Sequence, residues 1–394
     1  MNRRNFIKLI GGGAVVALSA TALSRSYIFG VPPSAVAAWN KPEEKDIRRL
    51  VLAYALLAPN PHNMQPWLAD IRTPKKIILS LDTTRLLPAT DPFGRQILMG
   101  SGAFLELLTM AAAAHGYRAD VTLFPEGEPE ATLDTRPFAT INLTADATVQ
   151  ADPLFEAVLG RRTDRRSYDI TRPIAVKDAA ALQTAVGGLP VNFGLVGRVD
   201  DQASDMMQLT AIRTIVREAW RIELTTEKAI MESFKVLRIG SDEIDQHRDG
   251  IALTKPMPLF LAKTGLFDRN QFPSPDSAVT SKQIKSFEIL TEKTPAYLWL
   301  TTQGNRRTQQ IEAGRAYVRV NLAATQLGIA LHPNEQALQE YPEVASQYQA
   351  IHALLNAPAP DFTIQILARA GYLPTNTLPH TPAPRRNLEN LLVL

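Results

Sequence analysis

The most distinctive stretch of the chain is Arg161-Arg162-Thr163-Asp164-Arg165-Arg166-Ser167-Tyr168. It follows a short helical pattern between Pro153 and Gly160, so its four arginines and two hydroxyl side chains leave the end of a helix together. Arginine is a planar fork of donors that stays charged, and several arginines beside hydroxyl groups suit a phosphate dianion. A solvated basic turn or a nucleic-acid patch would have the same composition, and both alternatives stay open at this point.

A second polar stretch lies about a hundred residues earlier and reads Ala58-Pro59-Asn60-Pro61-His62-Asn63-Met64-Gln65-Pro66-Trp67. An amphipathic helix is predicted over residues 43–57, and the prolines end it because proline cannot continue a helix. The loop then presents amides and an imidazole. Trp67 is expected to anchor the loop in the core, whereas His62 is either a polar turn residue or a ligand.

Composition narrows the class of protein. A chain of 394 residues with 45% hydrophobic and 21% charged residues is globular, and it can bury one large core or two ordinary ones. A net charge of +3 without interleaved aromatic and basic residues does not favour nucleic acid. The absence of cysteine excludes disulfides, thiolate metal sites and a cysteine nucleophile. The six histidines are dispersed, so no metal site is predicted.

The N-terminus predicts export. Arg3-Arg4-Asn5-Phe6-Ile7-Lys8 precedes an uncharged run that ends at Ser24, a pattern similar to the twin-arginine signal of proteins exported in folded form. We expect a signal segment over residues 1–37, recognised by the twin-arginine export machinery, with Ala35-Val36-Ala37 as a candidate cleavage site. The alternatives are an ordinary secretory signal and an uncleaved anchor. The protein is therefore expected in the periplasm or elsewhere outside the cytoplasm, either released or tethered to the membrane.

Two apolar helices predict an internal duplication. The patterns over 101–115 and 309–327 align without gaps, and the pairs Gly102/Gly116 and Gly314/Gly328 have the same spacing. We interpret them as the two central helices of a pseudo-twofold core, although apolar helices can resemble each other by coincidence. The predicted halves are residues 38–150 and 151–394. The second half contains an insertion at about 200–290, placed between its second strand and its long helix, with the size of a lid or binding element.

Together, the arginine stretch and the 58–67 loop resemble the paired flavin-binding signatures of the nitroreductase family. Their presence in one chain resembles the single-chain, Acg-like subfamily. The resemblance implies an α+β fold with two fused, pseudo-symmetric halves, in which antiparallel-rich sheets surround central buried helices. It also implies one FMN site and a monomer with a pseudo-dimeric core.

The resemblance assigns roles residue by residue. The flavin phosphate and ribityl chain would be held by Arg161, Arg162, Thr163 and Arg165. The isoalloxazine ring would lie against Pro59, Asn60, His62 and Asn63. A C-terminal basic pair that reaches the phosphate would be Arg385 and Arg386, unless this proline-rich end is disordered. The segment near the ring nitrogen N5 would be Pro333, Asn334 and Glu335, followed by Gln336 where the family has glycine. Gln65 and Trp67 would support the loop, and Asp164 and Arg166 would be structural or exposed.

The resemblance implies an FMN-dependent oxidoreductase that passes hydride or electrons from NAD(P)H, or another donor, to a small nitro, quinone or similar acceptor. No catalytic side chain is required, because the flavin supplies the redox chemistry. The alternative is a non-catalytic protein that sequesters FMN beneath a lid formed by the insertion. A nucleic-acid or anion-binding module is a third reading, disfavoured because no aromatic platform accompanies the arginines.

Overall fold

A computed structural model describes residues 30–197 and 203–393. The Arg3-Arg4 motif and the apolar run that follows it lie outside the described residues. Within them, one helix, Arg95–Ala114, is long and apolar enough to cross a membrane, but 83% of its most apolar window is buried inside the protein. Burial of this extent is that of a core helix.

The first half contains one four-stranded antiparallel sheet. Helix α1 (Ile47–Ala55) precedes the sheet, and helix α2 (Arg95–Ala114) lies between its second and third strands. Its strands are β1 (Trp67–Asp70), β2 (Lys76–Leu81), β3 (Tyr117–Leu123) and β4 (Ala139–Ala145). They are arranged in the order β1-β2-β4-β3, and every neighbouring pair is antiparallel.

The second half begins with helix α3 (Val176–Thr184) and strand β5 (Asn192–Gly197) and then leaves the sheet for the insertion. The insertion is mainly helical, with a small parallel pair of strands. Its elements are α4 (Ala203–Thr225), α5 (Glu227–Lys235), β6 (Leu237–Ile239), α6 (Ser241–His247), β7 (Ile251–Leu253), α7 (Pro256–Lys263) and α8 (Ala278–Glu292). The chain then returns through β8 (Ala296–Gln303), α9 (Arg307–Gln326), β9 (Ile329–Pro333), α10 (Ala345–Leu354) and β10 (Phe362–Tyr372).

The two sheets have the same topology. The second sheet has the order β5-β8-β10-β9, which is again first, second, fourth, third, with antiparallel neighbours and a long helix between the second and third strands. The prediction of an α+β fold with two pseudo-symmetric halves around central helices is confirmed. The insertion lies between the first and second strands of the second sheet, not between the second strand and the long helix, because the strand at 192–197 is the sheet's first.

The central helices cross at their glycines. A Cβ atom at Gly102 on α2 would overlap the carbonyl oxygen of Ile311 on α9, and a Cβ atom at Gly314 would overlap the carbonyl oxygen of Met99. Met99 and Ile311 each lie three residues before the glycine of their own helix. The pseudo-twofold axis therefore relates one contact to the other. Only glycine fits at positions 102 and 314, because the two helix backbones touch there.

The insertion packs onto the first half. Asp249 forms ion pairs with Arg85 of the first half at 2.6 Å and with Arg238 of the insertion at 2.8 Å. The Glu232 carboxylate accepts backbone N–H bonds from Ala89 and Thr90 at 2.8 and 2.9 Å. The single helix predicted around 204–234 is broken at Thr226, whose extended backbone suits a β-branched residue and separates α4 from α5.

We expect Gly102→Ala to lower the free energy of unfolding by about 3 kcal/mol, because the added methyl group forces the two central helices apart. Urea denaturation followed by circular dichroism measures the change. Gly160→Ala is the matched control, since a Cβ atom there meets its nearest heavy atom at 3.5 Å, an ordinary contact distance. Equal stability of the two variants would contradict the proposed close crossing.

Candidate functional site

The loop that follows α1 has a strained backbone. His62, Asn63 and Gln65 have φ angles of 46°, 56° and 50°, in the left-handed region that glycine normally occupies. Non-glycine residues stay in this region only where the surrounding contacts determine their conformation, and such residues cluster at functional sites. The contacts that hold this loop therefore indicate which parts of the chain form the site.

Gln65 is fixed by the insertion and by the C-terminal arm, residues 378–390. Its backbone N–H donates to the Asn60 Oδ1 atom at 2.8 Å, and its Nε2 atom donates to the carbonyl of Arg248 at 2.9 Å. Its Oε1 atom accepts the backbone N–H of Arg386 at 2.8 Å. Gln65 is fully buried, so these bonds satisfy a side chain that otherwise would be costly to bury.

Asn63 is held by the same two elements. Its Nδ2 atom donates to the carbonyl of Pro384 at 3.0 Å, its Oδ1 atom accepts from Arg385 at 2.7 Å, and its carbonyl accepts the N–H of Gly250 at 3.2 Å. The amides of Asn60 and Asn63 thus bond within the protein. Contact of Pro59, Asn60, His62 and Asn63 with a flavin ring remains a prediction.

Arg385 caps the end of helix α1. Its Nε atom donates to the carbonyl of Leu56 at 2.8 Å, and its Nη2 atom donates to the carbonyls of Leu57 and Ala58 at 3.0 and 3.1 Å. Its Nη1 atom donates to Asn63 and to the carbonyl of Pro384. A guanidinium is favourable at a helix C-terminus, where carbonyl dipoles converge.

Arg386 also supports the loop. Its Nη1 atom donates to the carbonyl of Gln65 at 3.0 Å, and its Nη2 atom donates to the carbonyl of Asn390 at 2.7 Å. Arg385 and Arg386 are both buried, so the alternative of a disordered tail does not hold for this pair. The prediction that they reach a phosphate stays a prediction, and the structure places their donors on backbone and amide oxygens of the loop.

Arg161 lies beside Arg385 at the same helix end. It is 2% exposed, and only its Nη2 atom is bonded, to the carbonyl of Leu57 at 3.1 Å. Its buried Nε and Nη1 atoms have no hydrogen-bond partner among the described residues. Arg162 is half-buried and donates from Nη1 to the carbonyls of Leu159 and Arg161 at 2.8 and 2.7 Å. Arg161, Arg162 and Arg385 form what we call the arginine cluster.

The arginine cluster has no acidic partner in residues 30–197 and 203–393. Burial lowers the pKa of the Arg161 guanidinium to about 10. Nearby Tyr317 partly offsets this lowering of the pKa, and the charge of Arg162 adds to it. Burial, followed by repulsion from Arg161 and Arg162, holds the pKa of Arg385 well below its ordinary value. A buried charge without a counter-charge is strongly unfavourable, so the cluster is a site where an anion would be stabilising.

The corresponding position in the other half is neutralised. Arg319 donates from Nε to the carbonyl of Ala185, at the end of α3, at 2.8 Å. Its Nη1 atom lies 2.7 Å from Glu106 and 2.8 Å from Asp152. A guanidinium therefore lies at the end of the helix that precedes each sheet. Among the described residues, the guanidinium at the end of α3 has acidic partners, and those at the end of α1 have none.

Arg165 faces an internal cleft. Its side chain is solvent-exposed, yet surrounding protein lowers its pKa, chiefly by desolvation. A guanidinium that is exposed to solvent and yet desolvated by surrounding protein is one that lines a cleft within the fold. Neighbouring Asp164 is structural, because it is buried, pairs with Arg166 at 2.6 Å, and donates its N–H to the carbonyl of Leu331 at 3.0 Å. Thr163 is half-buried between Arg162 and Asp164.

Two neutral histidines lie near Arg165. The Nδ1 atoms of His62 and His332 are buried and have no partner within the described parts of the chain. Burial, followed by the charge of Arg165, lowers the pKa of His62 to about 4. Burial, then Arg369 and Arg165, holds the pKa of His332 well below its ordinary value. His332 stands directly opposite Arg369 on the paired strands β9 and β10.

The segment after β9 contains a buried acid. Asn334 is buried and its N–H donates to the carbonyl of Leu367 at 2.7 Å, while Pro333 is the last residue of the strand. Glu335 accepts the N–H of Leu367 through Oε1 at 3.1 Å. Its Oε2 atom is buried with no partner among the residues described, and burial raises the pKa of this carboxyl group to about 7.

The structure thus brings most predicted residues to one region, where the end of α1, the arginine stretch, β9 and the C-terminal arm meet. The sequence did not indicate His332, Arg369 or Trp39, whose ring contacts the arginine cluster. A single histidine or arginine in an apolar strand is not part of a repeated motif, so the sequence alone does not mark it as functional. Trp39 could have been noticed only as an aromatic residue beside the predicted signal segment.

Comparison with known sequences identifies relatives along most of the chain. No family model matches it. A protein named "Putative NAD(P)H nitroreductase acg", from Mycobacterium tuberculosis strain H37Rv, is 27% identical over 359 residues, which are 88% of this chain and 95% of that protein. A second protein of the same strain, also named as an NAD(P)H nitroreductase, is 29% identical over 355 residues, 87% of this chain and 90% of its own. These relatives support the predicted nitroreductase relationship.

Solved structures give weaker similarities. A structure described as "a putative nitroreductase" from Anabaena variabilis has a TM-score of 0.46 at 11% identity and covers 86% of this chain and 91% of its own. The FMN-dependent nitroreductase NfnB from Mycobacterium smegmatis, in complex with NADPH, has a TM-score of 0.37 at 16% identity over 60% and 94%. Both scores are below 0.5, so the family relationship rests on the sequence relatives.

We expect Arg161→Met to raise the free energy of unfolding of the ligand-free protein by about 1 kcal/mol, because it removes a buried charge without a partner. Arg319→Met is the matched control and should lower that free energy by about 1 kcal/mol, because Asp152 loses its ion pair while Glu106 keeps Arg315 at 2.8 Å. Denaturant titrations measure both.

Inorganic phosphate should stabilise the wild-type protein by about 1.4 kcal/mol at ten times its dissociation constant. It should not stabilise Arg161→Met. An equal phosphate effect on both proteins, measured as a shift of the thermal midpoint, would show that the arginine cluster is not the anion site.

The raised pKa of Glu335 predicts a pH dependence of stability. Between pH 4.5, the ordinary value, and pH 7, the folded state binds this proton more tightly than the unfolded state, so stability falls as pH rises. We expect Glu335→Gln to reduce this fall by about 1 to 2 kcal/mol after allowance for solvent screening. Urea titrations at pH 5 and pH 7 test this. The exposed Glu227→Gln variant is the control, and an unchanged pH dependence in Glu335→Gln would contradict the assignment.

Proposed function

We propose that this protein is an FMN-binding oxidoreductase of the nitroreductase type, with one flavin site built from both halves of one chain. The observation that carries the proposal is the arginine cluster at the end of α1. It has no acidic partner among the described residues, and the buried Nε and Nη1 atoms of Arg161 have no hydrogen-bond partner there. A phosphate suits such a group of guanidiniums, because arginine and phosphate form strong charge-assisted hydrogen bonds that are often bidentate. The mycobacterial relatives named as NAD(P)H nitroreductases support the choice of FMN over other phosphate esters.

FMN, when bound, would supply transfer of hydride or electrons from NAD(P)H, or another donor, to a small nitro, quinone or similar acceptor. The chain itself would bind and orient it. Arg161, Arg162 and Thr163 would hold the phosphate, and Arg165 would line the cleft towards the ribityl chain. The strained loop from Pro59 to Asn63 and the segment from Pro333 to Glu335 would lie on the two sides of the ring.

Glu335 is the group best placed to hold a proton in this cleft. Its buried Oε2 atom is unbonded within the described structure, and its pKa of about 7 leaves the acid partly protonated at neutral pH. A carboxyl group with a pKa near the working pH can both donate and accept a proton. Gln336 stands where the family has glycine, so the approach of this backbone to a ring would differ from the family pattern.

The second candidate function is sequestration of FMN without turnover. It is favoured by the insertion, because Arg248 and Gly250 bond directly to Gln65 and Asn63 of the loop proposed to contact the ring. An insertion fastened to that loop would restrict access of a nicotinamide. The two functions share the binding site and differ only in whether a reductant reaches it.

We also propose export in folded form through the twin-arginine machinery to the periplasm or an equivalent compartment, by release or as a tethered protein. The support is the Arg3-Arg4 motif and the apolar run after it. Because both halves of the site belong to one chain, we propose a monomer as the functional unit.

We expect the protein purified from its export compartment to contain bound FMN, visible as oxidised flavin absorption, and Arg161→Met to lose it. Addition of NAD(P)H without oxygen should bleach the flavin if the protein is an enzyme. Persistence of the oxidised spectrum would favour sequestration or another donor. If the purified protein has no flavin and takes up none when FMN is added, the proposed function is wrong.

A further inference from the structure

The arginine cluster is covered by a tryptophan from outside the predicted signatures. The guanidinium carbons of Arg162, Arg385 and Arg161 lie 4.5, 5.1 and 5.4 Å from the centre of the Trp39 ring. All three distances are within the range of cation–π attraction, and tryptophan is the aromatic side chain with the strongest such attraction. One indole ring therefore contacts every member of a cluster that has no acidic partner in the described residues.

Trp39 is itself held in place by other parts of the chain. Its Nε1 atom donates to the carbonyl of Ala383 in the C-terminal arm at 2.8 Å, and it is 7% exposed. It ends a short 3-10 helix, Pro33–Trp39, in which Ala35 is fully buried and accepts the backbone N–H of Arg385 at 2.9 Å. Ser34 of the same turn donates to Asp245 of the insertion at 2.6 Å.

This arrangement addresses a physical problem of the cluster. Three guanidiniums repel one another, and the pKa values of Arg161 and Arg385 are lowered by burial and by this repulsion. The negative face of an indole ring reduces the repulsion without using an N–H donor. The ring also excludes water, and charge interactions are stronger where water is absent.

We propose that Trp39 is a positioning residue of the phosphate site, which holds Arg161 and Arg162 in a binding-competent arrangement beside Arg385 before the anion arrives. This inference rests on the proposed function and adds to it a residue from the N-terminal segment. The turn that ends at Trp39 includes the candidate cleavage site Ala35-Val36-Ala37, so cleavage there would keep Trp39 but remove the bond between Ala35 and Arg385.

The test compares Trp39→Leu, which removes the aromatic face, with Trp39→Phe, which keeps a face but loses the bond to Ala383. Both are made in the full chain, and FMN binding to the flavin-free protein is titrated by flavin fluorescence. We expect Trp39→Leu to weaken FMN binding about tenfold or more and Trp39→Phe to recover most of that loss. Trp220→Leu is the control, since that ring stacks on Phe287 in the insertion at 4.8 Å and should leave FMN affinity unchanged.

Inorganic phosphate is the second probe, read as a shift of the thermal midpoint, and circular dichroism verifies that each variant is folded. A phosphate shift present in wild type, reduced in Trp39→Leu and restored in Trp39→Phe supports the inference. Equal FMN affinity of Trp39→Leu and wild type would overturn it. So would equal losses in the leucine and phenylalanine variants, which would assign the effect to the Ala383 bond. A wild-type protein that responds to neither probe would overturn this inference together with the proposed function.

Discussion

The candidate site depends on a group of guanidiniums that no acidic side chain in residues 30–197 and 203–393 neutralises. Arg161 and Arg385 both bond to the carbonyls that end α1, and Arg162 lies beside them. Carbonyl dipoles and an indole ring offset part of the cost of burying these guanidiniums, but neither supplies a full counter-charge. We assign the site to an anion because a bound phosphate would supply the missing counter-charge and so remove the remaining cost of burial.

The duplicated fold explains why there is one such site and not two. The helices α2 and α9 cross at Gly102 and Gly314, and two equivalent glycine contacts fix the position of one half against the other. The two halves differ at the ends of helices α1 and α3. At the end of α3, Arg319 is paired with Glu106 and Asp152. Carboxylates beside the arginine at the end of α3, and none among the described residues beside those at the end of α1, therefore distinguish a structural arginine from candidate ligand-binding arginines.

The remaining asymmetric parts of the chain meet at the α1 loop. The insertion and the C-terminal arm bond to Asn63 and Gln65, which adopt left-handed backbone conformations, and the N-terminal turn places Trp39 over the arginines. The insertion and the C-terminal arm have no counterpart in the first half. Contacts from the insertion and the C-terminal arm hold the loop in place, which is the pre-organisation that a binding site requires.

Much of this arrangement follows from local sequence. Glycine spacing predicted which two helices are central, and the arginine stretch with the 58–67 loop predicted two of the segments that meet at the candidate site. The partners of Gln65, the use of Arg385 as a helix cap and the position of Trp39 could not be predicted, because they depend on contacts between residues separated by more than 180 positions. Likewise, the raised pKa of Glu335 depends on burial by the folded chain and has no signature in the sequence.

The most direct test of the central claim compares the binding of FMN and of riboflavin to the flavin-free wild-type protein by calorimetry. The two ligands share the ring and ribityl chain and differ only in the phosphate group, so the ratio of their dissociation constants reports on the anion site alone. Several charge-assisted hydrogen bonds to a dianion predict that FMN binds at least about a hundredfold more tightly. Equal affinity for the two ligands would contradict the assignment of the buried arginine cluster as a phosphate site.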